Sequence, residues 1–405
     1  MKRAQAQLQR LIKGVVSIVV ASFLAGCATP FSTPRLEPDN VPFPGIQEAI
    51  SNGGEPADVL LVHGMCTHKK EDLQGANAAL AKALDMQPQR PEDVKLETIW
   101  GDENDAQLFT ATLSDGVRSV RTYSLLWSPV ATRYKRARLC YDVSEPTDSC
   151  PKEVLTYAKP RAWINKGAKD VLLDDCLADA VFYSAPDGGK LLRDAALKAI
   201  ITALAGGKAS ADVESEQLKV AAAETTPFFI ITHSLGSKIV ADALYQAQTP
   251  RALDDALTLA LGRTYQVFMQ ANQLPILSLG IGSISKRADA PSVVTDVAMN
   301  ALIARIIGGR SRNRGPRVLA DEPIVVVAFS DPNDLLSWGL NDSAVRLERA
   351  QTVDVWVSNA RSWFGVAENP WAAHVGYATN PAVAKLIACG WKRSSPVPAC
   401  EAMAR

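Results

Sequence analysis

Beyond residue 50, short runs of apolar, β-prone residues alternate with stretches whose apolar positions recur at helical spacing. Asp58 to His63, Val120 to Trp127, Phe228 to Thr232, Val267 to Leu279, Ile324 to Phe329 and Val353 to Val357 read as strands. They are nearly continuous in Val, Ile, Leu and Phe, the pattern of strands covered on both faces of a parallel sheet. Residues 69–85 carry a helical pattern after the first run, and Ile239, Val240, Ala243 and Leu244 share one helical face after the third. Strands separated by helices predict an α/β fold with a mostly parallel central sheet and helices on both faces. Two stretches, near 129–170 and 281–321, break the alternation and read as insertions.

Composition narrows the function classes. The 405 residues carry 43 Lys+Arg against 43 Asp+Glu, and 47% of them are hydrophobic. That profile excludes a disordered or polytopic membrane chain and gives no reason to expect a nucleic-acid partner. The two basic clusters, Arg133 to Arg138 and Arg310 to Arg317, are solvated faces or surfaces for anionic headgroups. Gly188-Gly189-Lys190 and Gly206-Gly207-Lys208 lack the frame of a phosphate-binding loop.

The start of the chain reads as an export signal. Lys2, Arg3, Arg10 and Lys13 precede an apolar run from Gly14 to Leu24 that is too short to span a bilayer as a mature helix. Leu24-Ala25-Gly26-Cys27 then resembles the bacterial lipoprotein signal, in which the cysteine becomes the lipid-modified first residue after cleavage. The resemblance implies a signal peptide over 1–26, acylation of Cys27 and anchoring in a lipid bilayer of the cell envelope. Ala28 in place of Asp points to the outer membrane, facing the periplasm. Cleavage removes four of the 43 basic side chains and leaves the acidic ones in slight excess. Residues 28–50 hold five prolines and no periodic pattern, so 27–50 reads as an extended tether and 51–405 as the folded domain.

Six cysteines remain, an even number suited to an oxidising compartment. Spacing makes Cys140–Cys150 and Cys389–Cys400 the easiest pairs and leaves Cys66–Cys176, among about 15 connectivities. No CxxC occurs and none of the four histidines has ligand-like spacing, so neither a metal nor a cofactor is expected.

The chemistry-bearing signal is Thr232-His233-Ser234-Leu235-Gly236, between a predicted strand and a predicted helix. A chain turning sharply from strand to helix lifts its turning residue to the top of the sheet, beside free backbone N–H groups. This resembles the nucleophile elbow of the α/β-hydrolase superfamily, with Thr232 where that motif has Gly, and the resemblance covers roughly residues 57–390. His63-Gly64 is similar to the HG motif of the same superfamily. The resemblance makes Ser234 the nucleophile and the N–H groups of Met65 and Leu235 the oxyanion hole, with His63, Gly64, His233 and Gly236 as structural parts of the motifs. The superfamily's chain order of serine, acid, histidine implies His374 as the base, because His63, His68 and His233 precede or adjoin the serine. Its acid stands in a strand-end loop, where Asp334 fits better than Asp331. The segments 122–129 and 271–275 border the site or simply pack.

The expectation is therefore a membrane-anchored serine esterase or lipase, acting on a lipophilic ester through an acyl-enzyme. The same triad also serves acyl transfer or thioester hydrolysis, and a non-catalytic hydrolase-fold envelope lipoprotein is the remaining alternative. Oligomeric state is left open.

Overall fold

A computed structural model describes residues 27–51, 56–87, 90–140, 162–208, 213–277, 296–312, 322–340, 347–363, 367–393 and 400. The expected signal peptide lies outside the described residues. The strands are β1 (Cys27–Ala28), β2 (Arg35–Glu37), β3 (Phe43–Pro44), β4 (Ala57–Val62), β5 (Glu97–Trp100), β6 (Gln107–Ser114) and β7 (Ser119–Leu126). They continue with β8 (Phe228–His233), β9 (Thr264–Gln270), β10 (Ile324–Ser330), β11 (Ala350–Trp356), β12 (Ser362–Trp363) and β13 (Gly390–Trp391).

Nine of them form one sheet in the order β2-β11-β10-β9-β8-β4-β7-β6-β5. The six strands from β11 to β7 run parallel, and β2 and β6 join antiparallel to their neighbours at either side. The protein is thus an α/β fold with a large, mostly parallel central sheet. Side chains alternate across it as the pleat requires. In β10, Ile324, Val326 and Ala328 enter one core, beneath helices Pro186–Leu204, Leu235–Tyr245, Arg251–Leu261 and Val297–Arg312. Val325, Val327 and Phe329 enter the other, beneath helices Ile46–Ser51, Lys70–Ala83 and Pro381–Cys389.

The chain leaves β4 towards β7 on one side and later returns as β8 on the other. Such a reversal opens a crevice beyond the carboxyl ends of the strands, where α/β proteins bind ligands. His63 and Ser234 stand at that crevice, one residue past the pair Val62↔Thr232 and at the end of β8 respectively.

Several expectations are corrected. Residues 28–50 are laid on the domain: Leu36 sits opposite Val355 in the edge strand β2, and Phe43 opposite Trp391. Buried Leu36, Phe43, Ile46 and Ile50 are what draw this proline-rich segment onto the core. The strand expected over 267–279 ends at Gln270, where Ala271 turns at positive φ into the short helix Leu274–Leu277. Within the expected insertion 281–321, Val297–Arg312 is a layer helix with Leu302, Ile303 and Ile306 in the core, and it crosses helix Arg251–Leu261 where Gly309 meets Gly262. Arg310 is buried and donates to the carbonyls of Thr264, Tyr265 and Glu322, so that part of the basic cluster faces no headgroup. Within 129–170, Ser128–Leu139 is helical and residues 141–161 lie outside the described residues.

Cys66–Cys176 and Cys389–Cys400 stand at disulfide distance, with Cα atoms 4.0 and 5.3 Å apart. For the third expected pair, Cys150 lies outside the described residues.

Candidate active site

β8 ends at His233, and helix Leu235–Tyr245 begins one residue after Ser234. Ser234 makes the turn with φ 53° and ψ −126°, a conformation that costs a non-glycine residue about 1–3 kcal/mol and persists only where the surroundings enforce it. They do so tightly. The Ser234 N–H donates to Gln270 O at 2.7 Å. A Cβ on Gly236 would stand 2.6 Å from His63 O, and one on Gly64 would stand 2.5 Å from Ser234 Cβ. Thr232 is accommodated at the position where the superfamily motif has Gly because its hydroxyl pairs with Ser237 Oγ at 2.8 Å beneath the turn.

His374 stands in the helix Pro370–Val375, whose first N–H groups are accepted by the Asn369 side chain. Its Nδ1–H donates to both Asp334 oxygens, at 2.9 and 3.0 Å. Asp334 also accepts the Leu336 N–H at 2.9 Å and the Tyr377 hydroxyl at 3.0 Å. Burial pushes the Asp334 carboxyl up, but the hydrogen bond and charge of His374, together with these donors, hold it below the ordinary range. An ionised Asp334 at Nδ1 leaves the lone pair of His374 on Nε2. Nε2 of His374 and Oγ of Ser234 are both buried and have no hydrogen-bond partner among the described residues.

Asp331 serves a different purpose. It accepts the backbone N–H groups of Asn333 and Asn359 at 2.9 and 2.6 Å and does not meet His374. Burial raises its carboxyl above the usual range. Tyr377, buried and three residues after His374, joins the two aspartates: its oxygen accepts the Asp331 N–H at 2.6 Å while its proton goes to Asp334.

The loop after β4 is held in place by His63. His63 Nδ1–H donates to Gly64 O at 2.8 Å, and its Nε2 accepts the Trp127 N–H at 3.0 Å. Its ring stacks on Trp127 with centroids 4.7 Å apart. Burial holds this imidazole neutral, well below its ordinary range. In a trans peptide the carbonyl and the following N–H point in opposite directions, so anchoring Gly64 O turns the Met65 N–H away from His63. Leu235, at the first position of its helix, has an N–H with no intrahelical acceptor.

The next residues of that loop are held by the helical segment 168–184, which runs on past the expected insertion 129–170, an arrangement no local pattern announces. The Cys66 N–H donates to Asp179 Oδ2 at 2.7 Å, and the Thr67 N–H and hydroxyl reach Asp175 at 3.0 and 2.6 Å. Asp175 and Asp179 flank Cys176, where the helix widens into π turns over Ala168–Leu177. Lys135 is buried between them, 2.9 Å from Asp175 and 2.7 Å from Asp179, so it too is no headgroup ligand. Burial lifts the Asp179 carboxyl to about 6 despite Lys135.

All four histidines of the chain gather here. The ring of His68 lies 4.3 Å from that of His63, and the ring of His233 lies 5.3 Å from that of His374. His233 Nε2–H donates to the backbone carbonyl of His374 at 2.9 Å. Burial, with help from His374, lowers its pKa to about 3, so it is neutral. Among the described residues, no group of three His, Cys, Asp or Glu side chains is arranged to hold a metal ion.

No protein family, curated protein or solved structure compared with the chain matches it.

Proposed function

We propose that the chain is a serine hydrolase of the α/β-hydrolase fold, anchored to the bacterial envelope through acylated Cys27, that cleaves carboxylic esters. The observation that carries this reading is the Asp334–His374 pair, ionised acid to Nδ1, tied through the His374 carbonyl to His233, which precedes a buried Ser234 in a strained strand-to-helix turn. A structural helix cap has no need of a histidine oriented by a buried carboxylate.

In the proposed reaction, His374 Nε2 takes the Ser234 proton as Oγ attacks the ester carbonyl carbon. The developing oxyanion receives the N–H groups of Leu235 and Met65, preorganised donors of a kind worth about 2.7–4 kcal/mol each. The protonated imidazole, stabilised by Asp334, then gives its proton to the leaving alcohol. Water, activated by the same nitrogen, attacks the acyl-enzyme and releases the acid.

Labelling of the oxidised, mature protein by a fluorophosphonate probe tests the reading. The unmodified protein is expected to label, and Ser234→Ala and His374→Ala are expected to lose both labelling and ester turnover, by roughly 10⁴-fold or more. Labelling that survives Ser234→Ala would sink the assignment.

A further inference from the structure

The segment leading from Cys27 decides which way the molecule faces. As a free extended tether, residues 28–50 would reach about 80 Å and leave the domain's orientation unconstrained. Instead, the backbone of Cys27 pairs with that of Trp363 in β12, and Ala28 pairs with Ser362. Three residues on, the Phe31 N–H donates to Ser358 Oγ at 3.0 Å, and the Ser358 N–H returns a bond to Phe31 O at 3.3 Å. Ser358 to Trp363 is the chain just past the carboxyl end of β11. Its Asn359 donates to Asp331 Oδ2 and, from its side chain, to Ala373 O beside His374. The residue proposed to carry the acyl chains is therefore stitched to the loop that braces the catalytic histidine, at the carboxyl edge of the sheet.

That same edge exposes large apolar side chains on loops around the triad. Leu335, next to Asp334, is 69% exposed, and Trp338 follows in the same loop. Trp371 and Val375 stand on the helix of His374, and Ile276 follows β9. Single exposed apolar residues need no explanation, but tryptophans and aliphatics grouped on the segments at one sheet edge mark an interaction surface. Arg361, in the segment after β11, adds exposed positive charge at this edge, suited to anionic headgroups.

We infer that the carboxyl edge of the sheet is seated on the lipid bilayer, with Leu335, Trp338 and Trp371 in the interface, so that Ser234 draws an acylated ester directly from the membrane. The inference rests on the lipoprotein and ester-hydrolase reading above. The occupant follows from the anchor: a lipid attached at a paired residue beside the crevice brings that rim to the membrane surface, and tryptophan is the side chain best suited to such an interface.

The test uses the mature, lipidated protein in vesicles of phosphatidylcholine and phosphatidylglycerol. With brominated acyl chains, tryptophan emission is expected to be quenched, and most of the quenching is expected to disappear in Trp338→Phe/Trp371→Phe. In ordinary vesicles, Leu335→Asp/Trp371→Asp is expected to cut turnover of a bilayer-embedded long-chain ester at least tenfold while turnover of a soluble short-chain ester stays within twofold. Val117→Asp, on the turn between β6 and β7 at the opposite edge, is expected to change neither. Quenching that is unaffected by Trp338→Phe/Trp371→Phe, or equal loss on both esters, overturns the seating. An unmodified Cys27 in the mass spectrum overturns it as well. Quenching without turnover of any ester fails the hydrolase reading while leaving the docked edge in place, so the two failures are distinguishable.

Discussion

His233 donates its Nε2–H to the main-chain carbonyl of His374, 2.9 Å away, so the side chain next to Ser234 fixes the backbone of the proposed base across the crevice. The two come from elements separated by more than 100 residues, and in the proposed reaction their relative position matters for proton transfer. His233→Ala is expected to lower kcat on a soluble ester by roughly ten- to hundredfold with little change in KM. His233→Gln, which keeps a neutral N–H at similar reach, is expected to recover most of that loss. Equal kcat values for the Ala and Gln variants would show that the bond positions nothing.

The same histidine makes stability depend on pH. It is held neutral with a pKa of about 3, whereas in the unfolded chain it titrates near its ordinary value of about 6.5. As pH falls below about 6.5 the unfolded state gains a proton that the folded state refuses, so its contribution is present above that pH and lost through the window towards 3. His63, also lowered by burial, acts in the same direction, while Asp179, raised to about 6, acts oppositely between about 4 and 6. Urea unfolding at pH 7 and pH 5 is expected to show a loss smaller by about 1–2 kcal/mol in His233→Gln than in the unmodified protein. An identical loss in both proteins would place the proton uptake elsewhere.

The parts legible in the sequence are those written in local pattern. Strands such as Ile324–Ser330 announce themselves because both faces are covered, and the turn at Ser234 because a strand abuts a helix there. The hairpin of β5 and β6 is not announced in the sequence, since its polar and apolar residues mix at an edge where no residue of β5 is buried and β6 is buried only in part. The roles of Tyr377 and His233, and the hold of Asp175 and Asp179 on Cys66 and Thr67, are contacts between distant segments. No periodicity carries them, although Asp175 and Asp179 at i, i+4 around a cysteine, and Tyr377 three residues after His374, are spacings that share a helical face. Residues 28–50 misled because proline density reads as a linker while Phe43 and Ile46, two fully buried side chains, carry the packing.

Glycine substitutions separate site geometry from general stability. A Cβ at Gly64 would meet Ser234 Cβ and His233 Nδ1 at 2.5 Å each and His233 O at 3.1 Å, and the His233 ring is tied down by its bond to His374 O. Gly64→Ala is expected to abolish ester turnover and probe labelling, because the serine must move for the methyl to fit. Gly75, within helix Lys70–Ala83, has no heavy atom within 4 Å of an added Cβ. There the change to Ala is expected to stabilise by about 0.5–1 kcal/mol and leave turnover unchanged, since only backbone entropy differs. Thermal unfolding and an ester assay on both variants check the contrast.

The two cysteine pairs differ in the same instructive way. Cys66–Cys176 closes a separation of 110 residues and Cys389–Cys400 one of 11, so their replacement by alanine is expected to cost about 5 and about 3 kcal/mol respectively. Only the first touches the loop that carries the Met65 N–H, where Asp179 and Asp175 grip the two residues that follow. Cys66→Ala/Cys176→Ala is therefore expected to lower kcat by roughly tenfold or more at a temperature where the protein remains folded, and Cys389→Ala/Cys400→Ala to leave kcat intact. Asp179→Asn, which weakens the grip without touching either disulfide, is expected to lower kcat in the same direction with KM nearly unchanged, because the proposed Met65 donor would act on the oxyanion and not on the bound ester. If both cysteine variants and Asp179→Asn keep full kcat, the helical segment 168–184 braces the fold alone and the loop holds its proposed donor without it.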